Sequence, residues 1–164
     1  MKKLILLFIL ISSVGIAQVV FPKDENGNVT YAGTITVDSA LTKKELYSRA
    51  QEFFAKAFVS SLNVIQYQDK EEGEIIGKGN MSIKVDGRES ILKFTLSIYV
   101  KDGKYKYIIT DITSDELGKI DSEKPALITK NQYKNIQWNA DYEMTNLVKL
   151  IKEYMSKPKE KDEW

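Results

Sequence analysis

Cysteine and histidine are both absent from the 164 residues of this chain. Without cysteine there is no disulfide, thiolate metal site, iron–sulfur cluster or cysteine nucleophile. Without histidine the usual general base near neutral pH and the commonest metal ligand are missing. A Ser-His-Asp triad and the common zinc sites are therefore excluded. No cofactor is implied, and any catalysis would have to run on carboxylates, lysine or tyrosine.

Long apolar runs are scarce as well, and the one that exists is informative. "MKKLILLFILISSVGIAQ" places Lys2 and Lys3 before an uninterrupted apolar stretch, Leu4 to Ile11, with Gly15 and Ala17 at −3 and −1 of a cut before Gln18. That is the layout of a secretory signal peptide. The apolar stretch falls short of the roughly 18 to 20 residues needed to span a bilayer. No cysteine follows to carry a lipid. The expectation is an exported protein, periplasmic or secreted and not a lipoprotein. It has a signal peptide at 1–17, a single α+β domain over 18–156 and a charged, disordered tail over 157–164.

An excess of either charge is lacking too. With Lys2 and Lys3 removed, 22 basic residues stand against 23 acidic, a formal charge of −1. Such a balance attracts neither nucleic acid nor an anionic membrane. The length suits one domain with a real core.

What is present reads as alternating and helical patterns in turn. "QVVFPKDENGNVT" holds Asn26-Gly27, suited to a tight turn. Its D-E-N-G-N spacing lacks the twelfth-position glutamate of a calcium loop, so a plain turn is expected. "NVTYAGTITV" alternates as a half-buried strand. In "LTKKELYSRAQEFFAKAF", Thr42 and Glu45 have capping-box spacing, and Leu46, Ala50, Phe53, Phe54, Ala57 and Phe58 form one apolar stripe. Those phenylalanines are better read as core than as a ligand pocket. From Val64 to Thr113 four strands follow, joined by short turns rich in Asp and Gly, as in a meander. Residues 114–138 read as polar and irregular. From about Ala140 a second helix is expected, with Asn139 or Asp141 at its cap and Met144, Leu147, Val148 and Ile151 along its stripe.

The stretch "GEIIGKGN" invites a phosphate-loop reading. Its spacing is one residue short, no Ser or Thr follows the lysine, and no helix comes after it. At strand periodicity Gly77 and Gly79 share the apolar face with Ile75, Met81 and Ile83. They are expected to leave room for Phe53, Phe54 or Phe58 of the helix.

Chain parity then restricts the sheet. A right-handed crossover through the first helix makes strand two parallel to strand one, so the fifth strand runs opposite to the first. A two-layer α+β fold follows: a five-stranded antiparallel sheet, order 1-5-4-3-2, with two helices on one face.

The helix motif Lys43-x-x-Leu46-Tyr47 followed by the strand motif Gly73-x-Ile75-x-Gly77-x-Gly79 resembles a family of exported Bacteroidetes proteins of unknown function. Their fold is similar to one half of the TATA-binding protein (TBP-like). The resemblance spans roughly Val29 to Thr113 and implies a fold and a compartment, with no catalytic residue to transfer. Minor-groove binding needs apolar wedges such as phenylalanine on the open sheet face. The sequence puts Thr, Ser, Asn and Lys there, so nucleic acid is not an expected partner.

The expected role is a non-enzymatic binding or interaction module of the cell envelope. Its candidate site is Lys78, Lys84, Lys93, Tyr99 and Lys106 on the open face, holding a peptide, an anionic glycan or an envelope protein. A solvated face with lysines for solubility is the plainer reading of the same residues. An alternative is an assembly role through Tyr133, Ile136 and Trp138. Another is a carboxylate enzyme using Asp111, Asp115 and Glu116 of "TDITSDELG".

Overall fold

The computed structural model describes residues 19–58 and 64–157, so the expected signal peptide and residues 158–164 of the tail lie outside the described residues. The chain runs β1 (Tyr31–Thr36), α1 (Lys43–Ala57), β2 (Ile65–Asp69), β3 (Glu74–Val85), β4 (Arg88–Lys101), β5 (Lys104–Ser114), β6 (Gly118–Lys119) and α2 (Lys130–Met155). The main sheet path is β1-β5-β4-β3-β2, as parity requires, and the short β6 adds to β5.

Local chemistry sets each boundary. Thr42 caps α1: its hydroxyl accepts from the Glu45 N–H, and the Glu45 carboxylate accepts the Thr42 N–H at 3.0 Å. The turn between β3 and β4 has Asp86 at φ 49° and Gly87 at φ 79°, the left-handed pair that matches strand twist in a two-residue hairpin. A bridge between Lys23 and Val29 confirms the turn around Asn26-Gly27, with the Asp24 carboxylate accepting from the Asn26 and Asn28 N–H groups.

Both helices lie on the same side of the sheet. Tyr105, Tyr107 and Ile109 of β5, Leu96 and Ile98 of β4, and Ile75 of β3 are buried beneath them. Gly77 and Gly79 do face this core, and a side chain on Gly79 would run into the rings of Phe94 and Phe58. Phe53 meets Phe54, Phe58 and Tyr154 edge-on at 5.8–6.3 Å, giving an aromatic seam between α1 and the end of α2. Arg49 closes that seam by donating to the Met155 carbonyl at 3.0 Å.

Two features depart from the sequence reading. The segment 114–138 is not irregular throughout: it contains β6, and α2 begins at Lys130 rather than near Ala140. The cap is Thr129, whose hydroxyl accepts from the Gln132 N–H at 3.2 Å while Gln132 accepts the Thr129 N–H at 2.9 Å. Gln137 concealed the helical period, since a polar residue stands where the stripe needs an apolar one. It is buried because its amide donates to the Ile120 carbonyl and the Tyr133 hydroxyl. The second departure is a bulge in β5 opposite Phe94, where Asp111 adopts φ 54°. The extra residue turns Asp111 outward and returns Ile112 and Ser114 to the core.

Candidate functional site

The helix-free face of the sheet is built by alternation, so the registers decide which of its side chains meet. Lys106 of β5 lies between Thr34 of β1 and Tyr99 of β4, and Tyr99 in turn faces Glu74 of β3. One step toward the β4–β5 turn, Lys104 lies between Thr36 and Lys101. One step the other way is a row of smaller and apolar groups: Ala32, Ile108, Ser97 and Ile76. Beyond it Lys78 faces Thr95, and Lys93 faces Asn80.

The five lysine and tyrosine positions expected from sequence therefore share a face without forming one stripe. Half-buried Ile76 and Ile108 separate Lys106 and Tyr99 from Lys78, Lys84 and Lys93. Isoleucines, including half-buried Ile91, also make this face less purely polar than the alternation of Thr, Ser and Lys suggests. The far group is partly neutralised: Lys93 pairs with Asp115 at 3.2 Å, and Lys84 sits opposite Glu89.

The near group is different. Lys101, Lys104 and Lys106 have no ion pair among the described residues. The one acid of their turn, Asp102, points elsewhere, accepting the Lys43 N–H at the start of α1 at 2.6 Å. That contact suits Asp102, because a helix N-terminus favours a carboxylate. Among the described residues Asp102 makes no ion pair with the lysines of its turn. Around these lysines lies a shallow concavity of about 380 Å³, lined by Thr34, Tyr99, Lys101, Lys104, Lys106 and Ile108 among others. Partial burial, then the adjacent Glu74 carboxylate, pushes the Tyr99 phenol above its ordinary pKa, so it remains a neutral donor and a flat apolar platform. Lys101 went unnoticed from sequence because it ends β4 against the turn, although its spacing from Tyr99 already assigned it to this face.

Each of the three acids has a partner of its own. Asp111 accepts from the Thr95 hydroxyl at 2.9 Å, Asp115 holds Lys93, and Glu116 accepts from the Ser90 hydroxyl. Among the described residues no group of three acids is placed to hold a metal. Of the candidate interface residues, Ile136 is fully buried and Tyr133 donates to the Ser122 carbonyl at 2.8 Å, so neither is a loop anchor as expected. Both belong to α2, whose inward face claims them. Trp138 lies on the outer side of α2, 59% exposed, and stacks on exposed Tyr142 at 5.6 Å.

No helix among the described residues is long and apolar enough to cross a membrane. The fold has solved relatives. A TBP-like protein from Parabacteroides distasonis superposes with a TM-score of 0.65 at 18% identity, over 80% of this chain and 95% of that one. A DUF4468 family protein from Bacteroides ovatus superposes with a TM-score of 0.54 at 13% identity, over 84% of this chain and 94% of that one. No curated protein matches the chain. The model of a domain of unknown function with TBP-like fold, DUF4468, matches residues 31–114, and the chain belongs to that family.

Proposed function

We propose that this protein is an exported, non-enzymatic binding module of the cell envelope, and that its site is the lysine-rich end of the open sheet face. One observation carries the reading: Lys101, Lys104 and Lys106 lie beside Tyr99 toward the β4–β5 turn with no ion pair among the described residues, while Asp102 bonds to the start of α1 and Glu74 of β3 faces Tyr99. Lys104 lies across from Lys101 and one step along the same face from Lys106, so their like charges repel, and an anionic ligand relieves that repulsion. Thr34 and Thr36 add hydroxyl donors, and Tyr99 adds a surface for stacking. Export rests on Lys2, Lys3 and the apolar run after them. Mass spectrometry of the protein recovered from its own cells should find Gln18 at the N-terminus; retention of Met1 to Ala17 would refute export by this route.

The site is tested by reversing charge. Lys104→Glu with Lys106→Glu should abolish binding of a sulfated oligosaccharide or an acidic peptide, leaving the fold intact because both side chains are exposed. Equal binding by the variant and the parent would remove the site.

A second reading has its own observation. Trp138 and Tyr142 form an exposed stacked pair on α2, of the kind that anchors protein interfaces. In intact cells Trp138→Ala should then remove a crosslinked partner that Lys104→Glu retains; crosslinking unaffected by Trp138→Ala would refute an assembly role for this pair.

A further inference from the structure

Among the described residues the outer edge of β1 has no backbone partner, and it borders the lysine site. Just after β1, the Val37 N–H donates to the Gly103 carbonyl at 2.9 Å. By the alternation of an antiparallel ladder, Ile35, Gly33 and Tyr31 then direct their backbone groups to β5, while Ala32, Thr34 and Thr36 direct theirs outward. The same parity includes Thr30, whose N–H donates to the Pro22 carbonyl at 2.9 Å. There the upstream chain stops bonding: Pro22 has no N–H to return, and among the described residues no further backbone bond reaches this edge. Natural edges are usually blunted by lysine, proline or a bulge. β1 reads YAGTIT and has none of these, whereas β2, the other edge, carries a bulge between Ile65 and Tyr67.

The two sides of this edge differ in chemistry. On the open face β1 offers only short side chains, Ala32, Thr34 and Thr36, so a neighbouring strand looks across them to Lys104 and Lys106. Strands lie about 4.8 Å apart, which puts an added strand about 10 Å from β5, within the joint reach of a glutamate and a lysine leaning toward each other. On the helix side a cavity of about 410 Å³ opens beside β1, lined by Tyr31, Tyr107, Thr145 and Val148 among others. Its walls are largely apolar.

The geometry points to strand addition: β1 receives an extended peptide whose alternate residues are acidic toward Lys104 and Lys106 and apolar toward Val148 and Tyr107. Backbone bonds to Thr34 and Thr36 hold such a peptide, and the period of two sorts its side chains between the two surfaces. This inference rests on the anion-site reading above and gives it one class of partner, a peptide rather than a glycan.

The test is fluorescence anisotropy on the purified protein. The probe is a labelled peptide about eight residues long, alternating glutamate and valine. It is compared with the same residues in block order, with the alternating peptide N-methylated on the amides that would face the edge, and with a sulfated oligosaccharide. Losing several backbone bonds should weaken binding about tenfold or more, so the N-methylated and block peptides should each bind at least about tenfold more weakly than the alternating one. On the protein side, Ala32→Pro removes an outward N–H of the same edge and no sheet bond, lies outside the lysine concavity, and should weaken the peptide while sparing the oligosaccharide. Hydrogen exchange on the unaltered protein should show the Thr34 and Thr36 amides protected by the alternating peptide. Equal binding of the methylated and unmethylated peptides, or unprotected Thr34 and Thr36 amides, overturns strand addition. If the oligosaccharide then still binds and Lys104→Glu with Lys106→Glu removes it, the anion site stands alone. If no probe binds, both readings fall.

Discussion

The ring of Phe54 occupies the place a side chain on Gly77 would take: a Cβ there would lie 2.6 Å from Cε1 of Phe54. Contacts under 3.0 Å force one partner to move, and Phe54 is buried against Phe53 and Phe58 with nowhere to go. Gly77→Ala should therefore destabilise the fold by about 1–3 kcal/mol through overpacking. Gly79→Ala should do the same, since its Cβ would stand 2.4 Å from Phe94. Urea midpoints measure both. Pairing Gly77→Ala with Phe54→Leu should recover part of the loss, and a neutral Gly77→Ala would mean the glycine is not a packing device.

α2 carries a matched pair of positions that tests its orientation. Ile136 is 1% exposed and Trp138 is 59% exposed. Ile136→Ala should cost about 2–5 kcal/mol as a core truncation, whereas Trp138→Ala should change stability by no more than about 0.5 kcal/mol. Similar midpoints for the two variants would place the helix face wrongly.

Thr129 sets where that helix starts. Removing the hydroxyl in Thr129→Ala leaves the Gln132 N–H without its acceptor and should cost about 1 kcal/mol. Asn139→Ala lies in mid-helix and should cost less than Thr129→Ala. A larger loss at Asn139 would return the helix start to the position suggested by the sequence.

The Tyr31 phenol donates to the Asp141 carboxylate at 2.6 Å, tying β1 to α2. Burial first, then that hydrogen bond and the carboxylate's charge, raise the Tyr31 pKa well above the ordinary tyrosine value. The folded state thus keeps a proton that the unfolded state releases near pH 10. The stabilisation is complete below that pH and declines as the pH rises above it, because the unfolded chain then binds fewer protons. Urea midpoints between pH 8 and 11 should fall for the parent protein and fall less steeply for Tyr31→Phe. Parallel profiles would mean that Tyr31 carries none of the alkaline loss.

Much of this architecture was legible in the chain itself, because its information is local. Alternation marks the strands, Thr42 with Glu45 marks the start of α1, and chain parity orders the sheet. Gly77 and Gly79 could be assigned to the core because a period of two leaves no other face for them. The absences of cysteine and histidine bounded the chemistry in the same way, through composition alone.

The tertiary structure decided what depends on residues distant in sequence. Gln137 can lie in the core only because the Ile120 carbonyl, brought there by the β5–β6 turn, accepts its amide, so the first turns of α2 could not be recognised from their own residues. The lysines that alternation put on one face were divided by register, which set Ile108 and Ile76 between them. Among the described residues Asp102 forms no ion pair with Lys101 or Lys104, because the fold delivers the N-terminus of α1 to its carboxylate. Pattern assigns a side chain to a face, but only the packing of the whole chain decides which charges there find partners.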